Sequence, residues 1–412
     1  MELKETLLMP KTNFEMRGNL PNKEPVLVKK WQDGNLYQNM LKNREGCKPF
    51  AFHDGPPYAN GDMHCGHMLN RILKDMIVRQ KTMQGFYVPF VFGFDTHGLP
   101  IENQVIKSGV NRKTTPTSEF RQKCREYALT QVKRQQDQIV RLGIMGDYEG
   151  AYKTLEKQFE SNQIEVFATM ALKGLIYKGL KPVYWSWSSE SALAEAEIEY
   201  KDVKSYAIYV AFNMIDGKGV VPNGSKAVIW TTTPYSLPSN LAISVNPRFN
   251  YGLYHTEKGD FILLEENANS LKEELGFETF ECVKTFKGKE LEGMRYEPLF
   301  PYFKNLKEKG AFFVLCGEHV TDSDGCGVVH TASGFGEDDY KVLKNFTDIP
   351  VVCPTDESCC FTDEVWDYKG MFVKDTDKLI IKRLKDEGKL IKRENHLHSY
   401  PFCYRTGAPI IY

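Results

Sequence analysis

No stretch of this sequence stays apolar for the ~18 residues that a membrane-spanning helix requires, so a helical membrane protein is not expected. The first residues, Met-Glu-Leu-Lys-Glu-Thr, lack the basic-then-apolar order of a secretory leader. Net charge is nearly absent: 53 Lys and Arg against 54 Asp and Glu leave −1 at pH 7. Contact with nucleic acid must therefore come from a local basic patch, not from overall attraction. The ten cysteines show no disulfide framework, and Cys359 and Cys360 are adjacent, a poor geometry for bonding to each other. They read as reduced thiols, and a cytoplasmic protein is expected. The chain also lacks internal repeats and low-complexity tracts.

What is present can fill more than one core, since 42% of the 412 residues are hydrophobic. The first part alternates strand-like and helix-like segments. Residues 50–53 read as a strand, and 65–84 as a helix, because Leu69, Ile72, Leu73, Met76 and Ile77 recur at three-to-four spacing before Gly85. Residues 87–93 read as a second strand with a free or bulged side at Pro89. Helical patterns cover about 117–142 and 156–175. This alternation predicts an α/β, doubly wound parallel sheet with ligands beyond the carboxyl ends of its strands. After about residue 200, short β-rich runs at 207–212, 227–230, 261–264, 312–315 and 327–331 lie between glycine- and proline-bearing turns, and read as a separate insert.

The most informative stretch is 53–67, His-Asp-Gly-Pro-Pro-Tyr-Ala-Asn-Gly-Asp-Met-His-Cys-Gly-His. A strand, a glycine-bearing turn and a helix N-terminus make an anion site, because unpaired N–H groups and the helix dipole face the ligand. His64 and His67 lie one helical turn apart, and Gly66 lets a ligand approach the backbone. Taken alone, His-x-Gly-His is a weak signal, and zinc ligation is a competing reading.

The whole stretch resembles the first signature of the class I aminoacyl-tRNA synthetases, and its lead-in is similar to the isoleucyl branch of bacterial type. Met9-Pro10-Lys11-Thr12 and Gly18-Asn19-Leu20-Pro21 resemble the N-terminal extension of that branch, and 93–102, Gly-Phe-Asp-Thr-His-Gly-Leu-Pro-Ile-Glu, its amino-acid-binding loop. Trp230-Thr231-Thr232-Thr233-Pro234, Val329-His330-Thr331-Ala332 and Glu337-Asp338-Asp339-Tyr340 resemble its editing pocket. The resemblance implies a partial Rossmann-like catalytic domain with an inserted β-rich editing domain. The corresponding divisions are an extension over 1–48, the first half of the catalytic domain over 49–198, the insert over 199–394 and re-entry over 395–412.

In the implied reaction, an amino-acid carboxylate attacks the α-phosphate of ATP, a transfer that needs positioning and charge neutralisation. The resemblance makes His64, Gly66 and His67 catalytic, and adds Gly55, Asn60 and Gly61 to the ATP site. It places Pro56, Phe94 and Asp95 around the amino acid, with Phe94 where the family usually has Trp. On the residues alone, Asp95 is equally a turn-former. One methylene is worth only about 1–3 kcal/mol in an apolar pocket, so isoleucine and valine are poorly separated by one site. A second, hydrolytic pocket is implied from Thr231, Thr232, Thr233, Asn240, His330 and Asp339, with Asp339 on the amino group of misattached valine and His330 toward the ester or ribose. Tyr235-Ser236 stands for the usual Trp-Thr, and Ser333 and Phe335 for Pro and His, which implies a reshaped pocket. Taken singly, these residues also suit strands, turns and helix caps.

The family's second signature, Lys-Met-Ser-Lys-Ser, does not occur in the sequence, so the resemblance covers about the first half of such an enzyme. Some relatives hold zinc with paired Cys-x-x-Cys. Here those positions read Ser186-Trp187-Ser188-Ser189 and Cys403-Tyr404-Arg405-Thr406, so no zinc site is expected. Expected ligands and partners are ATP with Mg2+, isoleucine and tRNA(Ile), with no membrane partner and a monomeric state. Arg121, Lys123, Arg125, Lys133, Arg134 and Arg141 on one helical segment suit tRNA phosphates or a solvated face. Two other functions remain open: a deacylase acting through the insert alone, and a non-catalytic tRNA-binding remnant.

Overall fold

The structure, a computed structural model, describes residues 3–8, 12–322, 325–346 and 348–411. Met9, Pro10 and Lys11 of the extension motif and the terminal Tyr412 lie outside the described residues. The chain divides into two compact units, Met1–Tyr177 and Lys178–Tyr412.

The first unit holds helices α1 (Leu20–Asp33), α2 (Leu36–Lys42), α3 (Cys65–Met83), α4 (Leu99–Lys107), α5 (Thr117–Arg141) and α6 (Lys157–Leu172). Its strands are β1 (Val91–Phe94) and β2 (Asp147–Lys153), paired in parallel. The segment before α3 adds parallel bridges from Pro49 to Tyr87 and from Tyr58 to Asp95. The order is thus extended segment, α3, β1, α4 and α5, β2, with parallel neighbours throughout, which is the doubly wound α/β arrangement.

Two expected strands are shorter than the sequence suggests. Residues 50–53 make no continuous ladder: Phe50 donates its N–H to the Tyr87 carbonyl at 2.8 Å, and Pro56 and Pro57 further on have no N–H to give. Regular pairing of the second strand begins only at Val91, after Pro89. The edge at Phe90 is closed by Tyr37, whose hydroxyl accepts the Phe90 N–H at 2.7 Å. The core gathers Val78, Val88, Phe90, Phe92, Phe94, Ile101, Ala128, Val132 and Ile139.

Helix α3 ends where the pattern places it, but its apolar stripe faces outward. Leu69, Ile72, Leu73, Met76 and Ile77 are 36–61% exposed, whereas Arg71 and Val78 are buried. Helix α6 likewise has no buried residue, and Ile164, Val166 and Phe167 are exposed.

The second unit is β-rich. Its strands are β3 (Trp185–Ser186), β4 (Ser191–Ala192), β5 (Ile198–Asp216), β6 (Lys226–Thr231), β7 (Ala242–Val245), β8 (Asn250–Thr256), β9 (Gly259–Leu264), β10 (Glu281–Lys287), β11 (Arg295–Tyr296), β12 (Phe313–Cys316), β13 (Val328–Thr331) and β14 (Leu390–Cys403). Its helices are α7 (Ala268–Leu275), α8 (Gly288–Leu291), α9 (Glu337–Phe346) and α10 (Asp377–Asp386). The main sheet runs β10-β8-β9-β6-β5-β11-β12-β7-β13, with β14 also on β5. Every β-rich run read from the sequence after residue 200 falls on one of these strands. β5 and β14 pair antiparallel from Val210 opposite Leu390 to Ile198 opposite Cys403, forming a long ribbon. Among the described residues, no helix is long and apolar enough to cross a membrane.

Candidate functional site

In the first unit, the loop before α3 and the loop after β1 are joined through their main chains. Asp95 donates its N–H to the Pro57 carbonyl at 2.8 Å, and its own carbonyl accepts the Ala59 N–H at 2.7 Å. Its carboxylate, half-buried, receives the Thr154 hydroxyl at 3.4 Å. Thr154 also accepts the Thr96 N–H at 2.9 Å, which fixes the turn that presents Asp95. Phe94 packs into the apolar core beneath this turn and is 1% exposed. Gly55 is exposed at the rim, with Pro56 half-buried beside it.

His64 caps α3. Its Nδ1 accepts the N–H groups of Gly66 at 3.1 Å and His67 at 3.3 Å. Two N–H groups that the sequence reading left for a ligand are thus taken by His64 itself. A Cβ on Gly66 would stand 3.0 Å from His64 Cε1, so the residue must be small for the ring to fold over the helix end. The imidazoles of His64 and His67 stack with centroids 3.7 Å apart. Burial, and then the neighbouring His64, hold the His67 pKa below its ordinary value. With Nδ1 of His64 an acceptor, its Nε2 carries the proton and is the donor offered outward.

Sequence reasoning missed what holds this loop. Gln131, Gln135 and Gln138 line one face of α5, an i, i+4, i+7 row that reads as ordinary helix surface. Gln131 accepts the Gly61 N–H at 3.2 Å, Gln135 donates to the Tyr58 carbonyl at 2.8 Å, and Gln138 accepts the Met63 N–H at 2.9 Å. Tyr127 donates to Asn60 Oδ1 at 2.8 Å. Gly61 sits at φ +81°, where a side chain is strained. Asp54 is buried with Arg71 and Lys74 as its ion partners, the latter at 2.9 Å. Burial lowers the Arg71 pKa to about 10. Of the six basic residues on the α5 segment, Lys123, Lys133, Arg134 and Arg141 pair with Glu119, Asp137, Asp62 and Glu24 respectively, and Arg125 donates to the Leu155 carbonyl.

In the second unit, the expected editing residues converge. β6 ends at Thr231, and residues Pro234–Ser239 form a short 3-10 helix, all buried. Thr231 and Thr233 hydroxyls are 3.2 Å apart, and Thr233 meets the Ser236 hydroxyl at 3.2 Å, with Thr232 half-buried between them. His330 lies on β13, buried, with Nε2 2.8 Å from Ser236 Oγ and Nδ1 3.1 Å from Asn240 Nδ2. The proton positions follow from the ends of this chain. Asn240 must donate, because its Nδ2 also reaches the Ala242 carbonyl, and its Oδ1 accepts the Tyr296 hydroxyl at 2.7 Å. His330 Nδ1 is therefore an acceptor, and Nε2–H donates to Ser236, whose own proton goes to the Thr233 carbonyl at 2.8 Å. Burial drives the His330 pKa down to about 4, so the ring is neutral and both nitrogens are engaged within the protein.

Asp339, in the first turn of α9, accepts the Ala332 N–H at 2.9 Å. Burial pushes its carboxyl up to about 7 against that bond. Sequence reasoning singled out Ser236 only as a departure from the family motif and missed Tyr296; their contacts make both part of the network.

The turns at 186–189 and 403–406, where some relatives carry Cys-x-x-Cys, also meet. Ser188 Oγ lies 3.1 Å from Thr406 Oγ1 and 3.3 Å from Ser186 Oγ, beside the buried Cys403. Hydroxyl hydrogen bonds join the two turns. Among the described residues, no group of three His, Cys, Asp or Glu side chains is placed to hold a metal ion.

Comparison with known proteins shows the family. The model of a family described as tRNA synthetases class I (I, L, M and V) matches residues 26–294. The isoleucine--tRNA ligase of Geobacillus thermodenitrificans is 50% identical over 412 residues, covering all of this chain and 44% of that protein. Those of Staphylococcus saprophyticus and Enterococcus faecalis are 50% and 48% identical, again over all of this chain and 44% of theirs. The chain thus spans less than half the length of these relatives. With most of its residues inside the family match and half of them identical across its whole length to such relatives, this chain belongs to the class I tRNA synthetases.

Proposed function

We propose that the chain is part of an isoleucine-tRNA ligase: it contributes to ATP-dependent activation of isoleucine for tRNA(Ile) and hydrolyses mischarged valyl-tRNA(Ile). The observation that carries the activation reading is the main-chain pairing of Asp95 with Pro57 and Ala59, which joins an ammonium-binding carboxylate to the loop leading into His64 and His67. In this reading Asp95 holds the substrate ammonium, Pro56 and Gly55 wall the side chain, and Gly61 and Asn60 shape the nucleotide rim. His64 Nε2–H donates to a phosphate oxygen while charge builds there. Magnesium arrives on the ATP phosphates; Asp54 and Asp62 are both engaged with basic side chains and offer it no free ligand.

The proposed division of the chain is an extension over 1–48, the first catalytic half over 49–198, the editing insert over 199–394 and re-entry over 395–412. In the insert, the threonine hydroxyls orient water and the terminal ribose while their methyls narrow the cavity. Asp339 takes the valine amino group, and His330 acts by holding Ser236 and Asn240. A deacylase acting alone is the second reading, favoured by one observation: the Ser236–His330–Asn240–Tyr296 network is closed within one unit.

Deacylation of valyl-tRNA(Ile) and isoleucine-dependent pyrophosphate exchange separate these readings. Selective loss of valine, abolished by Asp339→Ala, supports the hydrolytic pocket. Exchange in the same preparation supports activation, and its absence alongside hydrolysis supports the deacylase. Neither activity from a folded chain overturns both.

A further inference from the structure

In the hydrolytic reading the Pro234–Ser239 turn walls the pocket, and it is completely buried. Pro234 has no N–H, so the first amide of the turn that must find an acceptor is that of Tyr235. The acceptor comes from far along the chain: Asp377 Oδ1, 3.0 Å away. Asp377 opens α10, and the preceding Thr376 is itself fixed, wholly buried with its hydroxyl on the Val373 carbonyl at 2.6 Å. Opposite this wall, Asp339 receives the Ala332 N–H in the same manner. The two walls touch where the Tyr235 ring meets Phe335 edge-on, centroids 6.1 Å apart. Each loop of the pocket is therefore tied down by one carboxylate at the start of a helix. Lys374 stands nearby, its ammonium 4.0 Å from the Tyr400 ring centroid and 5.9 Å from that of Tyr235.

We propose that Asp377 is a positioning residue for hydrolysis: by holding the Tyr235 N–H, it seats the turn that carries Ser236 to His330 and so sets the width of the pocket. This rests on the hydrolytic reading above. Burial pushes the Asp377 carboxyl up to about 7, while Lys374 and the Tyr235 N–H draw it down, consistent with a carboxylate held in place at some cost. Withdrawing the acceptor leaves a buried amide unpaired and lets the turn slide away from Phe335, separating Ser236 from His330.

The test uses the full chain with Asp377→Ala and Asp377→Asn. Two readouts are taken: hydrogen exchange of the 230–240 segment, and deacylation of valyl- against isoleucyl-tRNA(Ile). Asp377→Ala is expected to speed exchange there about tenfold, leave α9 unchanged, and lower selectivity for valine about tenfold. Asp377→Asn keeps an acceptor oxygen and is expected to stay within about threefold of the unaltered chain in both. Should Asp377→Ala not fold, Asp377→Leu withdraws the acceptor while filling the buried space at the start of α10. Unchanged exchange and selectivity in the truncation, or equal losses in the Asn variant, overturn the proposal. If the unaltered chain hydrolyses neither substrate, the hydrolytic reading fails, and the positioning role in hydrolysis falls with it; exchange then reports only whether Asp377 seats the turn.

Discussion

The imidazole of His64 lies on that of His67 at 3.7 Å and closes the end of α3 with the same nitrogen that would otherwise face solvent. One ring thus caps the helix through Nδ1 and, in the proposed reading, leaves Nε2–H for a phosphate. His64→Ala is expected to cost about 1 kcal/mol of stability, and His64→Asn to recover most of it, because an amide oxygen caps equally well. Urea unfolding measures both. Nitrogen chemical shifts should show His64 as the Nε2–H tautomer, and the opposite tautomer would refute the cap.

Asp54 and Arg71 form a buried ion pair beneath the signature loop. Removing one partner strands the other charge, so Asp54→Ala should destabilise the first unit by about 3–5 kcal/mol. Replacing both with leucine should cost clearly less. A double-mutant cycle in urea decides, and additive losses would contradict the pairing.

Asp339 and His330 predict opposite pH dependences. The Asp339 pKa is raised to about 7 in the fold, so its protonated form stabilises the protein at low pH; that contribution is lost as pH rises from about 4 through 7. The His330 pKa is lowered to about 4, so its contribution is present above about 6.5 and lost as pH falls toward 4. Asp339→Asn should therefore raise stability selectively above pH 7. His330→Gln should flatten the loss below pH 6.5. Unfolding curves across pH 4–8 read both slopes, and parallel curves for either variant would reject its assignment.

The outward stripe on α3 gives a solubility prediction. Leu73→Glu with Met76→Glu should change stability by less than about 0.5 kcal/mol, because both side chains are already exposed. Light scattering should show less self-association at high concentration. A large destabilisation would mean that the stripe is packed after all.

That stripe also shows what a sequence conveys and what it withholds. Spacing of Leu69, Ile72, Leu73, Met76 and Ile77 reveals a helix and its length, because periodicity is a property of the helix alone. Which way the stripe faces depends on what packs beside it, and here Arg71 goes inward to Asp54. The signature residues were legible because they crowd into short motifs. Gln131, Gln135 and Gln138 were not, since glutamines on a helix carry no mark of which backbone groups they will meet. Asp377 lies more than a hundred residues from the turn it holds, and no local pattern joins them.

The β5–β14 ribbon has a consequence for how such a chain is put together. Ile198 and Cys403 are register partners, so the polypeptide departs and returns at neighbouring points. To whatever scaffold carries it, everything beyond that pair is topologically a hairpin, whose ends are already joined and whose length adds little closure entropy. The intervening sheet can therefore gain, lose or reshape a pocket without straining its anchorage.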